Sequence, residues 1–450
     1  MAAAVQNFPE RFTNWACQPT LDQAPTASWT ARISLIDTYA CMIVGVKERQ
    51  STILVQALDA SGDEGTILPM GGGQHRSLYG AALINGARAH AIDFDDYEIP
   101  GSTHVSAPLF SALLALVQRR HLSIGEVCDA WVVGYEAIVR VGMALGYGHY
   151  EKGWHATSTL GPIGVAAACS RALRLSAEQM AHAMTLATSS SAGMKSQFGS
   201  DAKALHAGLA AESGLRAAML ASAGATGNVN IWDAPQGLMD MYGAATSMGF
   251  ERVTKTMREG EATVEYPVAR KFWPSCSYSH RVIACAQALA PEVTSGDDIE
   301  RIVLRMPEPF HRVSGFGVPT TSAQARFSAA YCAVVALLNG QVLPEDFSAE
   351  HFLDPERQRL CGLVECDLYA LPFVQPDQML ALTPERVSVK LRSGQWIERE
   401  TSIVPGGDQQ PMTEEDVLEK LVNCGGERDV GEALLNTPLD VSLSRCMGLG

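Results

Sequence analysis

IGEVCDAWVVGYEAIVRVGMAL, residues 124–145, decides the fold class. Its apolar residues recur at helical spacing, and no part of it alternates apolar and polar side chains as a half-buried strand does. The flanking segments read the same way. SWTARISLIDTYACMIVGV (28–46) opens on a serine suited to capping a helix N-terminus. APLFSALLALVQRRH (107–121), GPIGVAAACSRALRL (161–175) and KALHAGLAAESGLRAAMLASAG (203–224) follow, the last ended by glycine. In SAEQ (176–179), Ser176 and Gln179 have the spacing of a capping box. Residues 28 to 250 are therefore expected to be all α.

The pattern changes near residue 265. SHRVIACAQALA (279–290) is helical, but IERIVLRM (299–306) alternates like a half-buried strand. TTSAQARFSAAYCAVVALLNG (320–340) reads as one helix. ERVSVKLRSGQWIERETSIV (385–404) reads as two strands joined through Ser-Gly, a hairpin signal. PGGD (405–408) is a linker, and MTEEDVLEKLVNCGG (412–426) returns to helix. The expected fold is mainly α. A large all-helical domain (1–266 plus 403–450) carries an inserted, smaller α+β domain (267–402), two domains being the norm for a 450-residue chain.

The formal charge of −15 argues against a nucleic-acid surface, which needs a basic stripe. It is compatible with an anionic small molecule, because the field inside a pocket can oppose the net field. Eleven cysteines are scattered without a framework. Cys361-x4-Cys366 and Cys276-x3-His280 each lack the second half of a structural zinc site, so the cysteines are read as reduced. MAAAVQNFPERF has neither the basic nor the apolar part of a signal peptide, and AAYCAVVALL (329–338) is far shorter than a membrane span. A cytoplasmic protein without a membrane partner is expected.

HAIDFDDYEIPGSTHVSAP (90–108) holds Asp93, Asp95, Asp96 and His104 beside a glycine-proline turn. Metal ligation, acid–base chemistry and an ordinary solvated loop all fit such a run. An EF-hand reading fails, because the glycine and the terminal glutamate are missing. Phe94 and Ile92 would bury at least one aspartate, and a buried aspartate needs a partner such as His104. Three basic clusters lie at loop-helix junctions. KGWHATSTLGPIG (152–164) puts His155 ahead of a helix N-terminus, which favours anions. QFGSDAKALHAG (197–208) sets Lys203 and His206 on one helical face. ARKFWPSCSYSH (269–280) groups Arg270, Lys271 and His280 around an aromatic turn. Each cluster alone also reads as solvated lysines and capped or core histidines; the set of three in an acidic protein points to a site. No GxxxxGK[ST] loop, HExxH or GxSxG occurs, and no GxGxxG follows an expected strand. Cofactor-independent acid–base chemistry remains.

Five stretches together resemble the MmgE/PrpD family, in family order and over nearly the full length. They are GARAHAIDFDDYEIPGSTHVSAPLFSALLAL, GYEAIVRVG, GWHATSTLGPIGVAAA, AKALHAGLAAESGLRAAMLA and RKFWPSCSYSHRVIACAQAL. The resemblance implies a helical domain built from both chain ends, an inserted α+β lid, a pocket between them, and a homodimer needing no metal or organic cofactor. It implies action on a small di- or tricarboxylate at a carbon beside a carboxylate, as in 2-methylcitrate dehydratase, cis-aconitate decarboxylase and iminodisuccinate epimerase. The decarboxylase active-site set falls on Asp93, His104, His155, Lys203 and Lys271. Tyr97, His206, Arg270 and His280 are the expected substrate-binding residues. Tyr97 stands where the decarboxylases have threonine, and FDD…HVSAP departs from the FND…HPSD-like run of the bacterial dehydratases. An iminodisuccinate-epimerase-like isomerase is the leading expectation. A decarboxylase or dehydratase of a citrate- or aconitate-like acid is the alternative, and a non-catalytic carboxylate-binding protein stands outside both.

Overall fold

The computed structural model describes residues 7–18, 21, 25–244, 247–371 and 383–449. Its first half is helical: α1 (Phe8–Ala16), α2 (Pro25–Gly45), α3 (Arg49–Ala60), α4 (Leu78–Ala89), α5 (Ser106–Arg120), α6 (Ile124–Leu145), α7 (Tyr147–Glu151), α8 (Ala156–Ala172), α9 (Ala177–Ala187) and α10 (Asp201–Ser222). Ser123 caps α6 in a capping box with Glu126, and Ser176 caps α9 with Gln179 as its sequence predicts. Ser28 does not cap α2. That helix begins at Pro25, so Ser28 lies in its first turn.

α10 packs against both α4 and α8, and glycine permits the closeness. A methyl group on Gly86 of α4 would lie 2.6 Å from the Gly208 Cα of α10, so the two backbones touch there. This crossing brings the start of α10, with Lys203, to the loop that follows α4. The apolar faces merge into one core that also takes in Val417, Leu418, Leu421 and Leu434 from two late helices, Glu414–Asn423 and Arg428–Asn436.

A second core gathers residues between Val282 and Ile397. It lies beneath a four-stranded sheet of order β2-β1-β3-β4, made of β1 (Ile299–Pro307), β2 (Val364–Tyr369), β3 (Glu385–Leu391) and β4 (Trp396–Thr401). β1 pairs antiparallel with β3, and β3 with β4 across the expected hairpin. β2 is an addition to the expected elements: it lies parallel to β1 at the sheet edge, Ile302 opposite Val364. The helix expected over 320–340 is two helices, Ser322–Arg326 and Ala329–Asn339. The chain breaks at Phe327, and Ser328 caps the second piece by accepting from the Tyr331 amide. The described residues are thus mainly α with one small sheet. No helix among the described residues is long and apolar enough to cross a membrane. None of the eleven cysteines is disulfide-bonded, and all but Cys17, Cys366 and Cys446 are buried.

Candidate active site

The loop between α4 and α5 is buried, not solvated. Asp93, Asp95, Asp96 and Glu98 are each at most 3% exposed. Four buried carboxylates in one loop require partners, and each has them. Asp93 takes a left-handed backbone (φ 55°), which a non-glycine residue adopts only when its surroundings enforce it. The enforcement is visible. Lys203 Nζ donates to Asp93 Oδ1 at 2.5 Å, while Lys271 Nζ donates to the Asp93 carbonyl at 2.8 Å and lies 3.2 Å from Oδ2.

Asp95 sits beneath two imidazoles. His90 Nδ1 lies 2.8 Å from Asp95 Oδ2, and His104 Nδ1 lies 3.2 Å from the same oxygen, off the line of a good hydrogen bond. At His90 the carboxylate holds the proton on Nδ1 and leaves Nε2 as a lone pair. His90 Nε2 then accepts from Lys203 Nζ at 2.7 Å, and His104 Nε2 lies 3.5 Å from Asp93 Oδ1. His155, at the N-terminus of α8, lies with its ring 6.4 Å from that of His104. Burial pushes all three imidazoles down, His90 to about 3 and His155 well below the ordinary histidine value, so they are neutral at pH 7. Burial alone would raise the two aspartates. The ammonium charges of Lys203 and Lys271 beside Asp93, and the imidazoles of His104 and His90 facing Asp95, hold both well below the usual carboxylate range.

A cavity opens over this floor. Asp93, His104, His155 and Lys203 line it, with Tyr97, Glu98, Tyr150 and Phe198 from the helical side. Cys276, Tyr278, Arg281, Val313 and Phe327 line it from the chain leading into and out of the sheet. Arg281 is bound to Glu385 on β3 at 2.7 Å, which ties this wall to the sheet. The arrangement offers fixed cations, neutral imidazoles and aromatic walls to an anionic organic molecule.

The structure brings Asp93, His104, His155, Lys203 and Lys271 into one cluster, although Lys271 reaches it from behind the cavity. The four expected substrate-binding residues divide. Tyr97 lines the cavity. His206 stands behind His155, their Nδ1 atoms 2.9 Å apart. Arg270 turns to α2, donating to Ser34 Oγ at 2.8 Å. His280 faces the Ser275 carbonyl at 3.3 Å. None of those three touches the cavity.

His90 and Asp95 complete the cluster and were outside the expected set. Their signal was local: both lie in the same stretch as Asp93, five residues apart. Lys420 had none. It comes from the 414–423 helix and is buried, donating to Asp37 Oδ1 and the Phe94 carbonyl at 2.7 Å each and to the Lys271 carbonyl at 3.2 Å. It thereby pins the backbone next to Asp93 and that of Lys271 itself.

His90, Asp93, Asp95 and His104 offer four ligand atoms within 4.8 Å of one another, donors that suit a divalent cation. Lys203 places its own ammonium against two of them, so a positive charge is already built into this set. Asp96 is turned away, bonded to the Ser106 amide and hydroxyl.

Two family signatures match the chain, the MmgE/PrpD N-terminal domain over residues 10–251 and the MmgE/PrpD C-terminal domain over 273–431. A cis-aconitate decarboxylase-like protein of Aspergillus oryzae is 27% identical over 439 residues, covering 92% of this chain and 89% of the relative. The cis-aconitate decarboxylase of Mus musculus is 29% identical over 352 residues (76% and 70%), and that of Aspergillus terreus 27% over 456 (92% and 88%). With both signatures in order along it, the chain belongs to the MmgE/PrpD family of enzymes.

Proposed function

We propose that the protein is a lyase that decarboxylates a small unsaturated tricarboxylate of the cis-aconitate kind. The observation that carries this reading is the convergence of Lys203, Lys271, Asp93 and His104 on the floor of the cavity. Loss of CO2 from the methylene arm of such an acid breaks a carbon–carbon bond and leaves its electron pair on carbon. The pair spreads through the neighbouring double bond to the carbon beside a second carboxylate, where a proton must be added as the double bond shifts. Fixed cations stabilise that growing charge without reorganising. His104, standing over Asp93 and within reach of Asp95, is the proposed proton donor, its basicity raised when a polyanion binds. Lys203 grips a carboxylate, and His155 and Tyr97 orient the remainder.

The relatives' names favour decarboxylation over the epimerisation that the sequence first suggested, while both reactions pass through the same kind of carbanion. In this reading residues 267–402 form a lid inserted into a helical domain of 1–266 and 403–450. The enzyme works as a cytoplasmic homodimer and uses no metal or organic cofactor.

The test is to incubate purified, EDTA-treated protein with cis-aconitate, and separately with one enantiomer of iminodisuccinate in deuterated water. Release of CO2 with formation of an unsaturated dicarboxylate is expected. Solvent deuterium entering iminodisuccinate, with cis-aconitate left intact, would return the epimerase. Tight binding of such acids without conversion of either would mark a carboxylate-binding protein. Light scattering of the intact chain tests the dimer.

A further inference from the structure

His155 and His206 face each other through the same atom. Their Nδ1 nitrogens are 2.9 Å apart, their ring centres 5.1 Å, and they are 1% and 8% exposed. Burial, and after it the charge of Lys203, holds both imidazoles down, His206 to about 4. Two neutral imidazoles in this contact share one proton: two lone pairs would repel, and two N–H groups would collide. The tautomer of one ring therefore dictates that of the other. His155 is also held through its backbone, its amide donating to the Gly193 carbonyl at 3.0 Å, and Phe198 stands edge-on to its ring at 4.9 Å. Its Nε2 is buried without a partner, in a residue that lines the cavity. His206 does not line it.

We infer that His206 is a positioning residue: it donates from Nδ1 to His155 Nδ1, so that His155 presents Nε2–H to the cavity as a neutral hydrogen-bond donor for a substrate carboxylate. The direction of the bond rests on the anionic substrate proposed above. An ionised carboxylate has no proton to give, so a lone pair at His155 Nε2 would repel it, whereas an N–H binds it. His206, three residues beyond Lys203 on α10, thus couples the aim of His155 to the helix that delivers the lysine.

The test reads the tautomer in the ligand-free protein. Nitrogen chemical shifts of ¹⁵N-histidine-labelled protein, with His155→Gln used to assign the signals, are expected to show His155 protonated on Nε2 and His206 on Nδ1. His206→Leu is expected to release His155 into a mixture of tautomers and to weaken binding of tricarballylate, an unreactive tricarboxylate, tenfold or more. His206→Asn can place an amide donor where Nδ1 stood, and is expected to keep the tautomer and bind within threefold of the parent. An Nδ1-protonated His155 in the parent protein, or an unchanged tautomer in a folded His206→Leu, would overturn the inference. If the leucine variant does not fold, the parent spectrum and the asparagine variant decide. Failure of the parent protein to bind tricarballylate would overturn the proposed substrate class and leave the tautomer to be judged by its spectrum.

Discussion

Around Asp93 the chain takes carboxylates, lysines and histidines out of water and matches each with a partner. On the sheet it does the reverse. Arg301–Glu365 and Arg305–Asp367 join β1 to β2 with all four side chains at least 40% exposed, and Lys390–Glu300 ties β3 to β1 at a surface nearly as open. Exposed pairs each contribute about 0–1 kcal/mol and are screened by salt. Buried ones carry a large desolvation penalty that only close geometry offsets. Charge on the sheet keeps an edge soluble. Charge in the loop stores a fixed electric field at the price of stability.

The sharpest way to break this contrast is Lys420→Met. It strands Asp37, which is fully buried, and frees the carbonyls of Phe94 and Lys271. Loss of about 3–5 kcal/mol is expected by denaturant titration, because one partner of a buried pair is left uncompensated.

Next come Lys203→Ala and His104→Ala. Each is expected to lower turnover at least about a hundredfold while the circular-dichroism spectrum stays that of the parent, as befits acid–base and charge-stabilising groups. Near-parental rates in either variant would show that the cluster is structural.

A smaller effect separates the loop from the sheet by pH. Burial, and then the charge of Asp37, pushes Asp96 up to about 7, and burial pushes Glu98 up to about 7. Between the ordinary carboxylate values and pH 7 the folded chain holds these protons and the unfolded chain does not. Stability from these two groups is therefore full at acid pH and lost as pH rises through 7. Asp93 and Asp95, held low, have the opposite sign and lose their contribution only in acid. The buried imidazoles His90, His104, His155 and His206, held down, act in the opposite sense through the ordinary histidine range, so Asp96 is read as a difference: the stability of the parent relative to Asp96→Asn is expected to fall between pH 5.5 and 8.5. A parent-minus-variant difference that rises across the window contradicts the assignment.

The smallest effect belongs to the sheet. Arg301→Ala or Arg305→Ala should leave the urea midpoint almost where it is in the parent, and the residual shift should shrink further in 0.5 M salt.

What could be read from the sequence divides along the same line. The helices of the first half were legible because burial on one face writes a period into the chain. Ser176 and Gln179 announced their capping box by spacing alone. β1 and the hairpin were legible for the same reason with a shorter period. β2 was legible too, since V-E-C-D-L alternates, but its cysteine invites comparison with Cys361 as a metal pair and draws attention from the strand. The break at Phe327 was marked only by Ser328, a capping residue inside an otherwise helical run. In the cluster, Asp93, His104, His155, Lys203 and Lys271 emerged from family motifs. The inward-facing roles suggested for Arg270 and His280 came from adjacency in sequence, which says nothing of direction: Lys271 and Arg270 are neighbours, yet one reaches Asp93 and the other α2. Pairings such as Lys203 with His90, 113 residues apart, belong to the fold and to no local pattern.

The grip of Lys420 has a consequence for how the protein matures. A growing chain that has emerged as far as residue 400 already holds every side chain that meets at Asp93, but lacks the ammonium that fastens two of the backbone carbonyls there. Closure of the cluster therefore waits until the 414–423 helix packs on α2. A ribosome-bound or prematurely terminated product would lack that fastening even where its first helices were folded.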